Sequence, residues 1–199
     1  MAKYWVLILG ALVLFGALGY AIFAPREEIL PSSVSVETGG AKIAFKEYVS
    51  GDLDFAISYP EGWTYSEESA GLSNDDYVAI VFNSPQLADR TEGVLPNIAV
   101  NYYNNLDVLL SFEGIEPNGQ SLESYLKTSQ VIKAVTPITL AGLQAWKGIA
   151  PAPTEDAIID TVFVEHAGHI YAIGVSNRTG FDPAVEDAMI SSFRFTNDK

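Results

Sequence analysis

The two histidines of the chain, His166 and His169, stand close together, and Glu165 directly precedes the first. Ala167 and Gly168 separate them, which favours a tight turn between two strands, because glycine adopts positive φ without a steric penalty. Neutral imidazole and carboxylate are both common metal ligands. The turn is therefore a candidate divalent-cation site on Glu165, His166 and His169, although a turn also exposes polar residues that bind nothing.

A second group of potential oxygen ligands lies in residues 67–76, which read EESAGLSNDD. Glu67, Glu68, Asp75 and Asp76 supply carboxylates, the ligands that hard cations such as calcium prefer. Their spacing matches no regular calcium loop, so a solvated loop is the simpler interpretation. A cation-binding or metal-assisted hydrolytic domain that uses this loop or the histidine turn is the alternative function that the residues leave open.

Aromatic side chains are the remaining candidates for ligand or partner contact, namely Trp63, Tyr102 and Tyr103, for which burial in the core is the simpler interpretation. The sequence contains no Gly-x-Ser-x-Gly motif, no phosphate-binding glycine loop and no His-Glu-x-x-His motif. It also contains no cysteine, which excludes disulfides and thiolate chemistry. From these patterns we assign no catalytic residue and no cofactor, apart from the weak divalent cation that the two candidate sites would bind.

Residues 4–24 form one apolar segment without charge or proline. As a helix rising 1.5 Å per residue, this segment covers roughly the 30 Å hydrocarbon core of a bilayer. Tyr4 and Tyr20, near its two ends, suit the membrane interfaces. The sequence predicts a signal-anchor transmembrane helix over residues 1–24. A signal peptide cleaved after Ala21 is the alternative, and the continuation of the apolar run past that position favours the retained anchor.

The charges around this segment set the expected orientation and partners. Lys3 is the only charged side chain before Arg26, so the Lys/Arg bias is slight. The simpler arrangement leaves a short cytoplasmic N-terminus and places the C-terminal domain outside the cytoplasm, as in a single-pass protein of the cell membrane. The net charge of −14 excludes most nucleic-acid binders, whose affinity depends on Lys and Arg.

The rest of the chain reads as a linker followed by one domain. Residues 25–41 are rich in Pro, Ser, Gly and Glu and are predicted to be a flexible linker. From residue 42 to residue 199, short alternating runs typical of strands are mixed with two amphipathic helical patterns. This predicts an α+β domain, an antiparallel sheet covered by helices, with clear strands over 53–59 and 97–103 and helices over 121–133 and 182–193.

Three stretches, taken in order, resemble the PsbP-like domain family: residues 55–63 (FAISYPEGW), 139–145 (TLAGLQA) and 189–195 (MISSFRF). The resemblance implies an α/β/α sandwich and a non-catalytic role in binding partner proteins or assisting assembly at a membrane. It implies as partner another membrane or extracytoplasmic protein. The retained anchor and the acidic charge depart from the photosynthetic members, so their docking on a photosystem is not carried over.

Replacing Leu12 and Leu14 by Arg is expected to prevent stable membrane insertion. Each central Arg costs roughly 2.5–3.5 kcal/mol and each lost Leu about 0.5 kcal/mol on insertion scales, so the combined penalty is about 6–8 kcal/mol. Alkaline carbonate extraction of membranes measures the outcome. A wild-type chain that is found shortened at Ala21 and freely soluble would contradict the anchor.

Overall fold

The computed structural model describes residues 35–38, 41–68, 76–87, 95–151, 158–177 and 182–197. In these ranges the chain forms eleven strands and three α-helices, with one 3-10 turn at Pro85–Leu87. The strands are β1 Ser35–Thr38, β2 Ala41–Ser50, β3 Phe55–Pro60, β4 Thr64–Glu68, β5 Tyr77–Asn83, β6 Ile98–Tyr103, β7 Lys133–Leu140, β8 Leu143–Pro151, β9 Ile158–His166, β10 His169–Asn177 and β11 Arg194–Phe195. The helices are α1 Leu106–Phe112, α2 Leu122–Thr128 and α3 Pro183–Ser192.

The strands form two antiparallel sheets. A seven-stranded sheet has the order β4-β5-β6-β10-β9-β8-β7, and a four-stranded sheet has the order β1-β2-β3-β11. Two of the hairpins of the larger sheet turn through Ala141-Gly142 and Ala167-Gly168, all with positive φ, the geometry that matches the twist of the flanking strands. The predicted α+β class is confirmed, whereas the division of the strands between two sheets was not predicted.

Strand β6 shows why the larger sheet needs a cover on both faces. All six of its residues are buried, and successive side chains of a strand point to opposite faces. Ile98, Val100 and Tyr102 belong to one core with side chains of β2, β3 and α3. Tyr103 belongs to a second core with side chains of α1 and α2. The molecule therefore has three layers, with the seven-stranded sheet in the middle.

Capping side chains set where the helices begin. Ser121 accepts a hydrogen bond from Ser124 N at the start of α2, and Asp182 accepts one from Ala184 N at the start of α3, as the sequence predicts. Helix α2 ends at Thr128 rather than at residue 133, because Ser129 Oγ accepts hydrogen bonds from Val131 N and Ile132 N and turns the chain into β7.

Of the N-terminal predictions, the linker alone overlaps the described residues, at 35–38 and 41. Strand β1, Ser35–Thr38, pairs with β2 and lies within the stretch 25–41 that is predicted as a linker. Its β-branched residues explain why this part of the stretch forms a strand. The predicted anchor, residues 4–24, lies outside the described residues. In the part of the chain that the structure describes, no helix is long and apolar enough to cross a membrane.

A side chain added at Gly148 in β8 is expected to destabilise the folded protein. A Cβ added there would lie 2.5 Å from Ile132 Cγ2 and 3.4 Å from Lys133 O, and Ile132 is itself buried. Gly148→Ala should lower the free energy of unfolding by about 1–3 kcal/mol, the usual cost of overpacking a core. Chemical denaturation measures this. Gly51→Ala is the matched control, because nothing lies within 4 Å of its added Cβ, and equal losses in both variants would contradict the packing argument.

Candidate functional site

The two histidines lie at the tip of the β9–β10 hairpin. His166 and His169 are direct cross-strand partners, so their side chains start from the same face of the sheet. Ala167 and Gly168 between them have φ values of 51° and 85°, which confirms the predicted tight turn. Strands β5 and β10 begin at this end of the larger sheet and strands β4, β6 and β9 end there. We call it the histidine end.

The imidazole of His169 is held by the end of β6. Its Nδ1 lies 2.7 Å from the carbonyl oxygen of Asn104 and 3.0 Å from the hydroxyl oxygen of Tyr102. A carbonyl only accepts hydrogen bonds, so Nδ1 carries the proton and donates to Asn104. In the neutral ring, Nε2 then holds the lone pair. Metal-binding histidines are commonly oriented by such a contact on the other nitrogen.

His166 and Glu165 are placed differently from His169. The ring of His166 stacks on Phe195 of β11 at a centroid distance of 3.9 Å. Glu165 is exposed and starts from the opposite face of the sheet, because adjacent residues of a strand alternate. Its cross-strand partner Ile170 belongs to the second core. The structure therefore brings the two histidines to one face and leaves the predicted third ligand on the other.

No group of three or more His, Cys, Asp or Glu side chains within the described ranges is arranged to hold a metal ion. The metal site on Glu165, His166 and His169 thus stays a prediction that a binding measurement must decide. Asp75, one of the four acidic residues of the second candidate site, lies outside the described residues.

The acidic stretch 67–76 nevertheless reaches the histidine end. Strand β4 ends at Glu68, and Asn104 N donates a hydrogen bond of 2.9 Å to the carbonyl oxygen of Asp76. Asn104 thus links the acidic stretch to His169 through its own backbone. The described strand ends and turns near this end carry the acidic residues Asp52, Asp54, Glu68, Asp76 and Glu165.

The three aromatic candidates lie mostly within the packed layers. Tyr102 and Tyr103 are buried and point to opposite faces of β6. Trp63 follows the Tyr-Pro-Glu-Gly turn, where its backbone N–H donates to Pro60 O, and packs half-buried against the first core. Of the three, Trp63 keeps a surface that a partner could contact, and that contact stays a prediction.

Sequence reasoning missed a buried polar cluster beneath α1 and α2. Tyr125 of α2 donates a hydrogen bond to the carboxyl group of Glu113, which caps the end of α1. On the sheet below, Tyr77 donates to Asn101 Oδ1 at 2.9 Å. The hydroxyl of Tyr103 is buried nearby and has no hydrogen-bond partner among the described residues. These residues come from four elements, so no local sequence pattern joins them.

Burial changes the acid–base properties of this cluster. It raises the pKa of the Tyr103 phenol well above its usual value, with smaller contributions from Tyr77 and Glu113. It also raises the pKa of Glu113, an effect that the hydrogen bond from Tyr125 opposes. The phenols therefore stay neutral at physiological pH, and Glu113 holds its proton to a higher pH than an exposed carboxyl does.

Comparison with known proteins gives distant structural likeness alone. No protein-family model matches the sequence, and no curated protein is detectably similar. The solution structure of a cyanobacterial PsbP from Synechocystis is 11% identical, with a TM-score of 0.46 over 80% of this chain and 97% of that chain. A crystal structure from Bacteroides thetaiotaomicron is 9% identical, with a TM-score of 0.46 over 76% of this chain. The chain spans about half of that second protein, 48% of its length.

The raised pKa of Glu113 predicts a pH-dependent stability. The folded protein keeps this proton over a pH range in which the unfolded chain has released it. The contribution to the free energy of unfolding is therefore complete below the ordinary carboxyl pKa and is lost as pH rises through the folded-state pKa. Glu113→Gln, which can still accept from Tyr125, should remove this part of the pH dependence. Urea denaturation across the acidic to neutral range measures it.

Glu116→Gln is the matched control for this experiment, because Glu116 is exposed in the same connection between α1 and α2. It should keep the pH dependence of the wild-type protein. An unchanged pH profile in Glu113→Gln would show that the carboxyl group of Glu113 titrates as an exposed one does.

Proposed function

We propose that this chain is a membrane-tethered, non-catalytic binding or assembly-accessory domain of the PsbP-like type. Residues 4–24 would anchor it, and the domain from residue 42 onward would lie outside the cytoplasm. The observation that carries the proposal is the histidine end. There, acidic residues at strand ends and turns of both sheets lie around the β9–β10 hairpin that carries the two imidazoles. A surface of one charge sign, presented at the tip of a folded domain, is suited to recognising a partner of the opposite sign.

The net charge of the whole chain also favours a positively charged partner. With a net charge of −14, the protein attracts positively charged surfaces over a distance of about 8–10 Å at physiological salt and repels anionic ones. A partner that docks on the histidine end would therefore present Lys and Arg residues. Such an interface gains association rate and specificity from its charges, and its affinity falls as salt increases.

The contacts described at this end hold the two histidine rings in fixed positions, as a preformed binding surface requires. His169 donates to the backbone of Asn104, and His166 stacks on Phe195. The buried phenols of Tyr103 and Tyr171 have raised pKa values. A raised pKa makes a phenol a weaker acid and leaves less of it as the nucleophilic phenolate near neutral pH.

Capture from its own membranes tests the binding role. The full-length chain, carrying a tag and solubilised in mild detergent, should enrich one specific protein that is lost when salt is raised. Glu165→Lys reverses a charge at the histidine end and should reduce the captured amount at least severalfold, since like charges then face each other across the interface.

The matched control is Glu116→Lys, which makes the same charge change in the exposed connection between α1 and α2. It should capture the partner as the wild-type chain does. Recovery of background proteins alone by the wild-type chain would contradict the binding role. An equal loss in both variants would show that net charge, and not the histidine end, determines binding.

A cation-binding role is the second candidate, favoured by the orientation of His169. Its Nδ1 is held by a backbone carbonyl at 2.7 Å, the arrangement that presents Nε2 to a metal, and His166 lies directly across the hairpin. The acidic stretch 67–76 starts and ends at the same end of the sheet and could add oxygen ligands. A metal-assisted hydrolytic function would rest on this same set of residues.

Calorimetry on the full-length chain with zinc, manganese and calcium tests this second candidate. If the histidines bind the metal, zinc should release heat at micromolar to millimolar concentrations, and His169→Ala should abolish it. Glu123→Gln, at a partly exposed side chain of α2, should leave the heat unchanged. Zinc affinity should also fall as the pH is lowered and the imidazoles become protonated. The absence of heat at millimolar metal would exclude this role.

A further inference from the structure

The two edges of the seven-stranded sheet differ in whether they could accept another strand. At one edge, β7 pairs irregularly with β8, with a shift of register between Lys133 and Thr136. Ala134 in this interval has a φ of 53°. Pro137 follows and has no backbone N–H to donate. Bulges and prolines are the usual protection of an edge against further pairing. An additional strand is therefore not expected to pair with β7.

Strand β4, at the other edge, has none of these protections. It pairs regularly with β5, from Thr64 opposite Asn83 to Glu68 opposite Ala79. Its residues TYSEE contain no proline or glycine. Within the described residues, β4 is the terminal strand and pairs with β5 alone. A regular terminal strand presents backbone donors and acceptors along its outer side.

An exposed aromatic ring lies on the same strand. Tyr65 is 46% exposed, more than any other large hydrophobic residue in the described part of the chain. Its inner side rests on the rings of Tyr48 and Tyr59, at centroid distances of 4.9 Å and 5.9 Å. The ring is thus held in place by packing while its outer side remains open to contact.

The charges of β4 select what could pair with it. Glu67 and Glu68 are adjacent and therefore point to opposite faces of the strand. The hydroxyl of Tyr48 donates to Glu67 Oε1 at 2.8 Å, which fixes that carboxylate beside Tyr65. Two copies of β4 placed edge to edge would bring like charges together, which is unfavourable. A strand carrying Lys or Arg would instead meet opposite charges on both faces.

We propose that the outer edge of β4 binds an extended, basic segment of a partner polypeptide as an added strand. Backbone hydrogen bonds to β4 provide the pairing, Glu67 and Glu68 select Lys or Arg on both faces of the segment, and Tyr65 contacts an apolar or guanidinium side chain. This is strand addition to a sheet edge, a recurrent mode of peptide recognition. The inference rests on the proposed binding function, to which it adds a second contact surface, along the edge strand that ends at the histidine end, and the chemistry of the segment that docks there.

A synthetic ten-residue peptide that repeats Lys-Lys-Val-Val, called the Lys-Val peptide, carries Lys on both faces of a strand. It tests the proposal on the full-length chain in detergent at low salt. Fluorescence anisotropy should show binding, and hydrogen exchange should show new protection of those amides of residues 64–68 that point away from β5. A peptide with the same number of Lys residues and two prolines at its centre cannot form the strand and should bind at least tenfold more weakly. A Glu-Val peptide should not bind.

Variants of β4 separate the edge from general electrostatic attraction. Glu68→Lys and Tyr65→Ser should each weaken binding of the Lys-Val peptide about fivefold or more. Glu116→Lys, with the same charge change away from the sheet edge, should leave the affinity within twofold of the wild-type value. Equal binding of the proline-containing peptide, or affinities unaffected by both β4 variants, would overturn the proposal.

This outcome is distinguishable from that of the capture experiment. If the wild-type edge does not bind the peptide, and the wild-type and Tyr65→Ser chains capture the membrane partner equally, the partner docks elsewhere. The proposed binding function then stands and the strand-addition proposal fails. If the wild-type chain captures nothing but the edge binds the peptide as described, the edge is competent and the proposed function fails.

Discussion

Strands β6 and β10 lie at the centre of the seven-stranded sheet and are apolar on both faces, and the rest of the structure depends on covering them. The side chains of β6 are buried along its whole length, as are those of β10 from Ile170 to Ser176. Helices α1 and α2 cover one face, while α3 and the four-stranded sheet cover the other. Burial of apolar surface is the dominant favourable contribution to folding, and here it requires three layers. The one amide inside β6, Asn101, is tolerated because Tyr77 donates to its Oδ1 and its Nδ2 donates to Ala172 O.

Because both faces of the sheet are covered, its ends and edges remain for contact with other molecules. The histidine end gathers turns from several strands, and a rigid sheet keeps those turns in fixed relation to each other. At the edges, irregular pairing protects β7 against an added strand, whereas β4 is protected only by its charged side chains. Charge would repel a second copy of this acidic strand and attract a basic one, so the same two carboxylates would oppose edge-to-edge pairing of two copies and favour a basic partner strand.

The sequence predicts the α+β class, several strands and the tight turn between the two histidines, whereas the roles of the candidate site residues stay predictions. Apolar residues at every second position of 53–59 and 97–103 predict strands there, and β3 and β6 confirm both predictions. Helix α1 was missed: it has seven residues and a continuous apolar centre, although Asn105 before it is a capping signal. The sequence prediction placed Glu165 in one site with the histidines, although strand alternation could have shown that Glu165 and His166 start from opposite faces. The contact between Tyr125 and Glu113 could not be predicted in this way, because it depends on how two helices pack.

Native-state hydrogen exchange on the full-length chain tests most directly the claim that the doubly covered sheet organises the molecule. Amides in β6 and in the adjoining parts of β10 should exchange most slowly, through global unfolding, since their strands are paired on both sides and covered on both faces. Amides of α1, α2 and the outer side of β4 should exchange earlier, through local opening. Slower exchange in the helices than in β6, or exchange of β6 at the rate of the edge strands, would contradict this account.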